Sequence, residues 1–434
     1  MNQQLAAQTM QIIPITHPLN ACVSVPSSKS LTNRALLIAA LAQGTTRLTN
    51  ALFSDDSGFF VNALQNLGFK IILDPENGSM EVAGLGGCIP KSKADIFVGN
   101  AGTAARFLTA FLTLGQGNYT LDGDARMRER PIGDLVNALT QLGADVKAAG
   151  RHGSSLCPPV KIIASGLPGG KTKIAGNISS QFLSAILMTA PYASTPVEIE
   201  ITNKLNSKPY VDMTLAVMSD FGVEVERDDY NSFLIRPARY SPLSAYSIET
   251  DATAASYFFA APAICGGAVR VDGISRKSIQ GDIQFLDILA RMGCAINEVE
   301  NSIMVTGPAE LVGLDIDMCD IPDTAQTLAA VAPFAVSPTR IRGIASARVK
   351  ETDRISAVCA ELRKIGVRVD EHEDGMTIFP CSQFHPAVIH TYNDHRMAMA
   401  FSLIGLRVPG ISIDNPGCVS KTFPNFFEVQ ETLR

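Results

Sequence analysis

The sequence predicts an α/β fold of six repeated β/α folding units, and two periodicities carry that prediction. The first is an amphipathic helix, a glycine and a short alternating strand, seen in Ala63–Ile71, Leu139–Val146, Met218–Val225, Leu289–Ile296 and Leu362–Val369. Its glycines, Gly68, Gly143, Gly222, Gly293 and Gly366, are spaced by 75, 79, 71 and 73 residues. Glycine suits the left-handed position just past a helix, and apolar/polar alternation after it reads as a strand. The second is a set of helices apolar on nearly every face, starting near Lys29, Gly102, Ser180, Ala252, Asp323 and Arg396, with spacings of 73, 78, 72, 71 and 73. A helix apolar all round must be buried.

Each unit of about 73 residues therefore pairs one buried helix with one amphipathic helix, strands lying between them. The period is too long for an ordinary solenoid. The sixth copy would place its glycine beyond residue 434, although Pro424–Leu433 still reads as helix. Its missing strand is expected from Met10–Ile15, which would bring both chain ends into one domain.

Composition narrows the function classes. Thirty-six Lys and Arg against 42 Asp and Glu leave a net charge of −6. That is a poor balance for bulk nucleic-acid binding, which draws on phosphate neutralisation. The nine cysteines include no C-x-x-C pair, so reduced thiols in a cytosolic protein are expected rather than disulfides or zinc. No apolar run approaches a membrane span, and the N-terminus lacks the pattern of a signal peptide.

The starts of the buried helices carry the chemistry. Each first turn offers unpaired N–H groups and a positive dipole end, so converging starts form an anion site. Cations belong there only if an anion joins them. They recur in Pro26-Ser27-Ser28-Lys29-Ser30-Leu31-Thr32-Asn33-Arg34, with Ser28 as expected N-cap, in Asn100–Arg106, and in Asn393-Asp394-His395-Arg396. Ser179-Ser180-Gln181 adds hydroxyl and amide groups, by way of capping or ligand contact. The run Arg126–Pro131 reads by default as solvated charge. In Val349–Arg354 a helix would set Lys350 and Arg354 one turn apart, a geometry shared with an exposed ion-pair lattice. Asp323 is either an N-cap or a general base, and His395, beside Arg396, is a poor base. Such a set suits acid–base chemistry on small, multiply anionic molecules.

Eight ordered motifs carry a more specific resemblance. Pro-Ser-Ser-Lys-Ser-x-x-Asn-Arg (26–34), Gly-Asn-Ala-Gly-Thr-Ala-x-Arg (99–106), Arg-Met-x-Glu-Arg-Pro-Ile-Gly (126–133) and Ser-Ser-Gln-Phe-Leu (179–183) come first. Ser-Lys-Pro-Tyr (207–210), Arg-Val-Lys-Glu-Thr-Asp-Arg (348–354), Tyr-Asn-Asp-His-Arg-Met-Ala-Met (392–399) and Lys-Thr-Phe-Pro (421–424) follow. Together they resemble the EPSP synthases of the enolpyruvyl transferase family along nearly the whole chain. The resemblance implies a two-domain inside-out α/β barrel with three folding units per domain, residues 1–27 plus 249–434 forming one and 28–248 the other, hinged around an active site. It implies transfer of the enolpyruvyl group of phosphoenolpyruvate to the 5-hydroxyl of shikimate 3-phosphate, with release of phosphate, on the route to chorismate and aromatic amino acids.

The implied phosphoenolpyruvate residues are Lys29, Gly102, Arg130, Gln181, Arg354, Arg396 and Lys421. Those for shikimate 3-phosphate are Ser30, Arg34, Ser179, Ser180, Gln181, Ser207, Tyr210, Asp323, Ser346 and Lys350. Arginine forks match carboxylate and phosphate alike. Glu351 would exchange a proton with C3 of phosphoenolpyruvate, Asp323 would take the hydroxyl proton, and Lys29 would stabilise the departing phosphate. A cytoplasmic monomer is expected, with no metal, organic cofactor, nucleic acid or membrane partner.

Three positions depart from the family pattern. Ser27 replaces the usual Gly, Phe107 the usual Pro, with a bearing on the inhibitor glyphosate, and Ser346-Ala347 the usual Asn-Trp. Two rivals are weighed: the sibling transferase acting on UDP-N-acetylglucosamine, whose loop cysteine has no counterpart between Cys88 and Cys157, and a non-catalytic anion-binding protein, which would not need Asp323 and Glu351 together.

Overall fold

A computed structural model describes residues 9–434. Six helix pairs follow the predicted order, the buried member first. They are α1 (Lys29–Leu41) with α2 (Asp55–Asn66), α3 (Gly102–Leu112) with α4 (Gly133–Gln141), and α5 (Ser180–Thr189) with α6 (Lys208–Asp220). Then come α7 (Ala252–Cys265) with α8 (Phe285–Arg291), α9 (Ala325–Val331) with α10 (Arg354–Lys364), and α11 (His395–Gly405) with α12 (Phe426–Glu431). Every residue of α3, α9 and α11 is buried, whereas α2 and α4 bury one stripe. The five repeated glycines end the amphipathic helices at φ between +84° and +111°, a range that side chains rarely adopt.

One folding unit shows how the strands attach. Strand Gly170–Ile174 leads into α5, and Val197–Ile201 then pairs parallel to it, Gly170 opposite Val197. After α6 the hairpin Glu226–Asp228 and Ser232–Ile235 closes, and its second strand lies antiparallel on Val197–Ile201. Five four-stranded sheets share this order. The sixth has three strands among the described residues. There Thr9–Gln11 pairs antiparallel with Ile411–Asp414, Met10 facing Ile413. The expected N-terminal strand is thus shorter than Met10–Ile15. It fills the place of the second hairpin strand, not that of the strand following the glycine.

The chain forms two compact lobes, one made of residues up to Pro26 with Thr250–Arg434, the other of Ser27–Glu249. Strands with one solvated face surround buried helices in each. Within the second lobe the buried helices share an end: Asn33 in α1 donates to Thr103 Oγ1 in the first turn of α3 at 2.7 Å. Within the first lobe, Ser256 of α7 meets Thr327, near the start of α9, at 3.1 Å. Among the described residues no helix is long and apolar enough to cross a membrane, and the nine cysteines are free.

Candidate functional site

In the second lobe the predicted residues gather at the shared helix starts. Ser28 caps α1, accepting from Leu31 N, and Ser27 beside it avoids positive φ. Lys29 follows at once, its Nζ 3.3 Å from Asp56, a buried carboxylate on α2. The cation that seemed misplaced thus has a partner 27 residues away. Ser30 contributes its carbonyl, which accepts from Arg34 Nη1 at 3.0 Å.

Arg34 itself is only 1% exposed. It donates to Thr214 Oγ1 at 2.8 Å and to the Tyr210 carbonyl at 3.1 Å, and its guanidinium lies 5.3 Å from the Phe107 ring centroid. Burial lowers its pKa to about 10. No carboxylate is among these partners, so its positive charge is carried by dipoles and a ring face. Phe107, the departure behind Gly102, is the floor under that charge.

The three cations of 126–130 separate. Arg126 pairs with Glu129 at 2.8 Å and Arg128 with Asp122 at 2.6 Å, both in solvated surroundings. Arg130 is buried, and its Nη1 donates to the Asn100 carbonyl at 3.0 Å and to Asn100 Oδ1 at 2.8 Å. Gly102 is kept small by this neighbour. A Cβ there would stand 2.7 Å from Arg130 Nη2 and 3.3 Å from Gln181 Oε1. Ser179 caps α5, accepting from Gln181 N at 3.2 Å, and Ser180 is buried beside it. Ser207, in the left-handed region at φ +58°, precedes α6 and Tyr210. Arg106 works inside the fold, donating to the Pro131 carbonyl at 2.7 Å and so bracing the Arg130 turn.

In the first lobe the charges interlock more tightly. Asp323 lies in the 3-10 turn Pro322–Thr324 and makes no cap, against one of the two sequence readings. Its carboxylate instead accepts from Lys350 Nζ, from Arg354 Nη1 at 3.1 Å and from Arg396 Nη2 at 2.9 Å. Lys350 and Arg354 do not share a helix: the 3-10 run Ala345–Val349, with half-buried Ser346 inside it, ends before Lys350, and α10 starts at Arg354 behind its N-cap Asp353. An acidic cap and a break in the helix replace the expected i, i+4 spacing, yet both cations reach the same oxygen.

Arg354, 3% exposed, is held by three carboxylates. Its Nη2 donates to Glu351 at 2.8 Å, and it forks Asp394 through Nε at 2.7 Å and Nη2 at 3.2 Å. The sequence reading gives Asp394 no role of its own. It caps α11, accepting from Arg396 N at 2.9 Å, and so ties Arg354 to the turn that carries Arg396. Arg396 Nη1 also reaches the Tyr257 hydroxyl at 3.5 Å, and buried Lys421 ends the 3-10 run Pro416–Lys421.

Desolvation would raise the Asp323 carboxyl, but Arg396, Lys350 and Arg354 outweigh it and hold it well below the usual carboxylate range. Burial pulls Lys350 down from its ordinary value, with Asp323 opposing. Burial would also lower Arg354, but Asp394, Glu351 and Asp323 raise it instead. Three cations, Lys350, Arg354 and Arg396, interlock with three carboxylates, Asp323, Glu351 and Asp394. Among the described residues no cluster of His, Cys, Asp and Glu is arranged to hold a metal ion; these carboxylates hold arginines.

His395 lies 1% exposed beside this cluster, Nδ1 at 3.4 Å from Asp394 Oδ1. Among the described residues neither ring nitrogen has a hydrogen-bond partner. Burial first, then Arg396, pushes its pKa well below the ordinary value of 6.5. A folded-state pKa below the unfolded one gives stability that is complete above pH 6.5 and declines as pH falls towards the folded value. The expected slope is about 1.4 kcal/mol per pH unit from this one group. Urea unfolding between pH 5 and 7 should show it, and His395→Gln should flatten the curve there. An unchanged slope in that variant would mean the ring is protonated in the fold.

A family model described as EPSP synthase (3-phosphoshikimate 1-carboxyvinyltransferase) matches residues 13–430. A Trichormus variabilis protein named 3-phosphoshikimate 1-carboxyvinyltransferase is 50% identical over 419 residues, which cover 96% of this chain and 97% of that one. A chloroplastic protein of the same name from Arabidopsis thaliana is 49% identical over 433 residues, covering 96% of this chain and 82% of its own. The solved structure of EPSP synthase from Acinetobacter baumannii superposes with a TM-score of 0.80 at 26% identity, covering 98% of each chain.

Proposed function

The chain belongs to the EPSP synthase family, and on that premise we propose that it transfers the enolpyruvyl group of phosphoenolpyruvate to the 5-hydroxyl of shikimate 3-phosphate and releases phosphate. The observation that carries this reading is the buried cluster in which Lys350, Arg354 and Arg396 converge on Asp323 while Glu351 flanks Arg354. Such a cluster binds anions and keeps carboxyl groups within reach of them.

In this reading Lys29, Gly102, Arg130, Gln181, Arg354, Arg396 and Lys421 take phosphoenolpyruvate. Ser30, Arg34, Ser179, Ser180, Gln181, Ser207, Tyr210, Asp323, Ser346 and Lys350 take shikimate 3-phosphate. The hydroxyl oxygen bonds to C2 of phosphoenolpyruvate as C3 gains a proton, giving a tetrahedral adduct. Its C2–phosphate bond then breaks and C3 gives a proton back. Glu351 serves C3 in both directions, and Lys29 neutralises the departing phosphate. Asp323 accepts the hydroxyl proton once the substrate anions draw Arg354, Arg396 and Lys350 towards themselves. Without that exchange of partners it is too weak a base, because three cations hold its pKa down. The reading also takes the protein to be a cytoplasmic monomer working without metal, organic cofactor, nucleic acid or membrane; a net charge of −6 disfavours bulk nucleic-acid binding.

A coupled phosphate-release assay with phosphoenolpyruvate tests the proposal. Release is expected with shikimate 3-phosphate and not with UDP-N-acetylglucosamine; the reverse pattern, or none with either acceptor, overturns it. Gly102→Ala gives a sharper check. Its methyl would push Arg130 and Gln181 aside, so KM for phosphoenolpyruvate should rise by about tenfold or more, equivalent to at least about 1.4 kcal/mol of binding. An unchanged KM would remove Gly102 and Arg130 from that site.

A further inference from the structure

The turn that aims Arg396 is strained. Tyr392 and Asn393 both sit in the left-handed region, at φ +54° and +55°, and neither is a glycine. Residues in such conformations persist only where their surroundings hold them there. The next non-glycine residue in that region, Asn415 at φ +49°, directly precedes the run that ends in Lys421. Its Nδ2 donates to Asn393 Oδ1 at 3.2 Å, so two strained turns are tied to each other.

A buried carboxylate ties the first of these turns to a third element. Glu361, only 1% exposed, lies on α10 two turns beyond Arg354. It accepts from the Tyr392 hydroxyl at 3.0 Å, from His390 N at 3.0 Å and from Lys364 Nζ. Burial and Glu361 push the Tyr392 phenol up to about 12, so its proton stays in place as a donor. The Tyr392 ring stands edge-on to His390, centroids 4.5 Å apart, and His390 Nδ1 reaches Asp414 Oδ2 at 2.8 Å. Arg354, Arg396 and Lys421 are thus carried by three backbone segments cross-linked by Glu361, Tyr392, Asn393 and Asn415.

We propose that the Glu361–Tyr392 and Asn393–Asn415 contacts form a positioning lattice that sets the spacing of Arg354, Arg396 and Lys421 and thereby the affinity for phosphoenolpyruvate. The proposal rests on the function assigned above. A loop held merely for stability would have the same contacts, so the test must read affinity separately from folding. In the full-length protein, Tyr392→Phe removes one hydroxyl, and Asn415→Gly removes the second tie while permitting positive φ. Each should raise KM for phosphoenolpyruvate by about tenfold, with KM for shikimate 3-phosphate within about twofold. The unfolding temperature should move by no more than about 4 °C. An unchanged KM for phosphoenolpyruvate in both variants, or both KM values rising in step with a large fall in unfolding temperature, overturns the lattice. A wild-type chain that releases no phosphate overturns the function instead. The crystal structure of Tyr392→Phe then decides: the lattice stands if Arg396 leaves Asp323 Oδ2, and falls if that 2.9 Å contact persists.

Discussion

Arg354→Met should unfold in urea with about 3–5 kcal/mol less stability than the wild type at pH 7, and should release no measurable phosphate. The side chain is 3% exposed and is the shared partner of Asp323, Glu351 and Asp394. Methionine keeps most of the volume and none of the charge, so three carboxylates would face one another with fewer cations between them. The pH dependence separates this from a packing defect. In the wild type, Asp323 has a folded pKa well below 3.8, so its contribution is complete above that value and is lost as pH falls through the folded one. In the variant the carboxyl groups repel one another and gain from protonation. The difference between the two proteins should therefore shrink as pH falls through the carboxylate range. A deficit that stays constant from pH 7 to pH 4 would mean that lost packing, not charge, destabilises the variant.

Glu351→Gln should cut turnover by about 10²–10⁴, the usual share of a positioned acid–base group. The amide oxygen can still accept from Arg354 Nη2, which stands 2.8 Å from the carboxylate in the native protein. Phosphoenolpyruvate binding, measured by calorimetry with shikimate 3-phosphate present, should stay within about threefold. The geometry explains why the two quantities separate. Glu351 neutralises a binding cation through one oxygen, whereas the chemistry needs a group that gains and loses a proton. If affinity and turnover fall together, Glu351 serves only to hold Arg354.

Much of the fold was legible in the sequence because its signals are local. The five glycines had to end helices, and their positive φ angles are where a Cβ is disfavoured. The buried helices begin within about two residues of the predicted starts, since an all-apolar stretch behind a polar turn has one stable place. The N-terminal strand was less exact. Which place it fills in the sixth sheet depends on a partner some 400 residues away. The break between Lys350 and Arg354 was not legible, because the charged run Val349–Arg354 also reads as one continuous helix and Asp353 acts as a cap only in the folded chain.

The identities of the charged residues were equally legible; their partners were not. Lys29 looked misplaced until Asp56 faced it, and Arg128 looked like Arg130 until one paired at the surface and the other was buried against Asn100. Asp394 has no assigned role until Arg354 forks it in the folded chain. Backbone periodicity follows from neighbouring residues and is written in the order of the chain. An ion pair depends on distance and desolvation between residues far apart in that order, so only the folded chain decides which cation keeps its charge for a ligand and which spends it holding the fold.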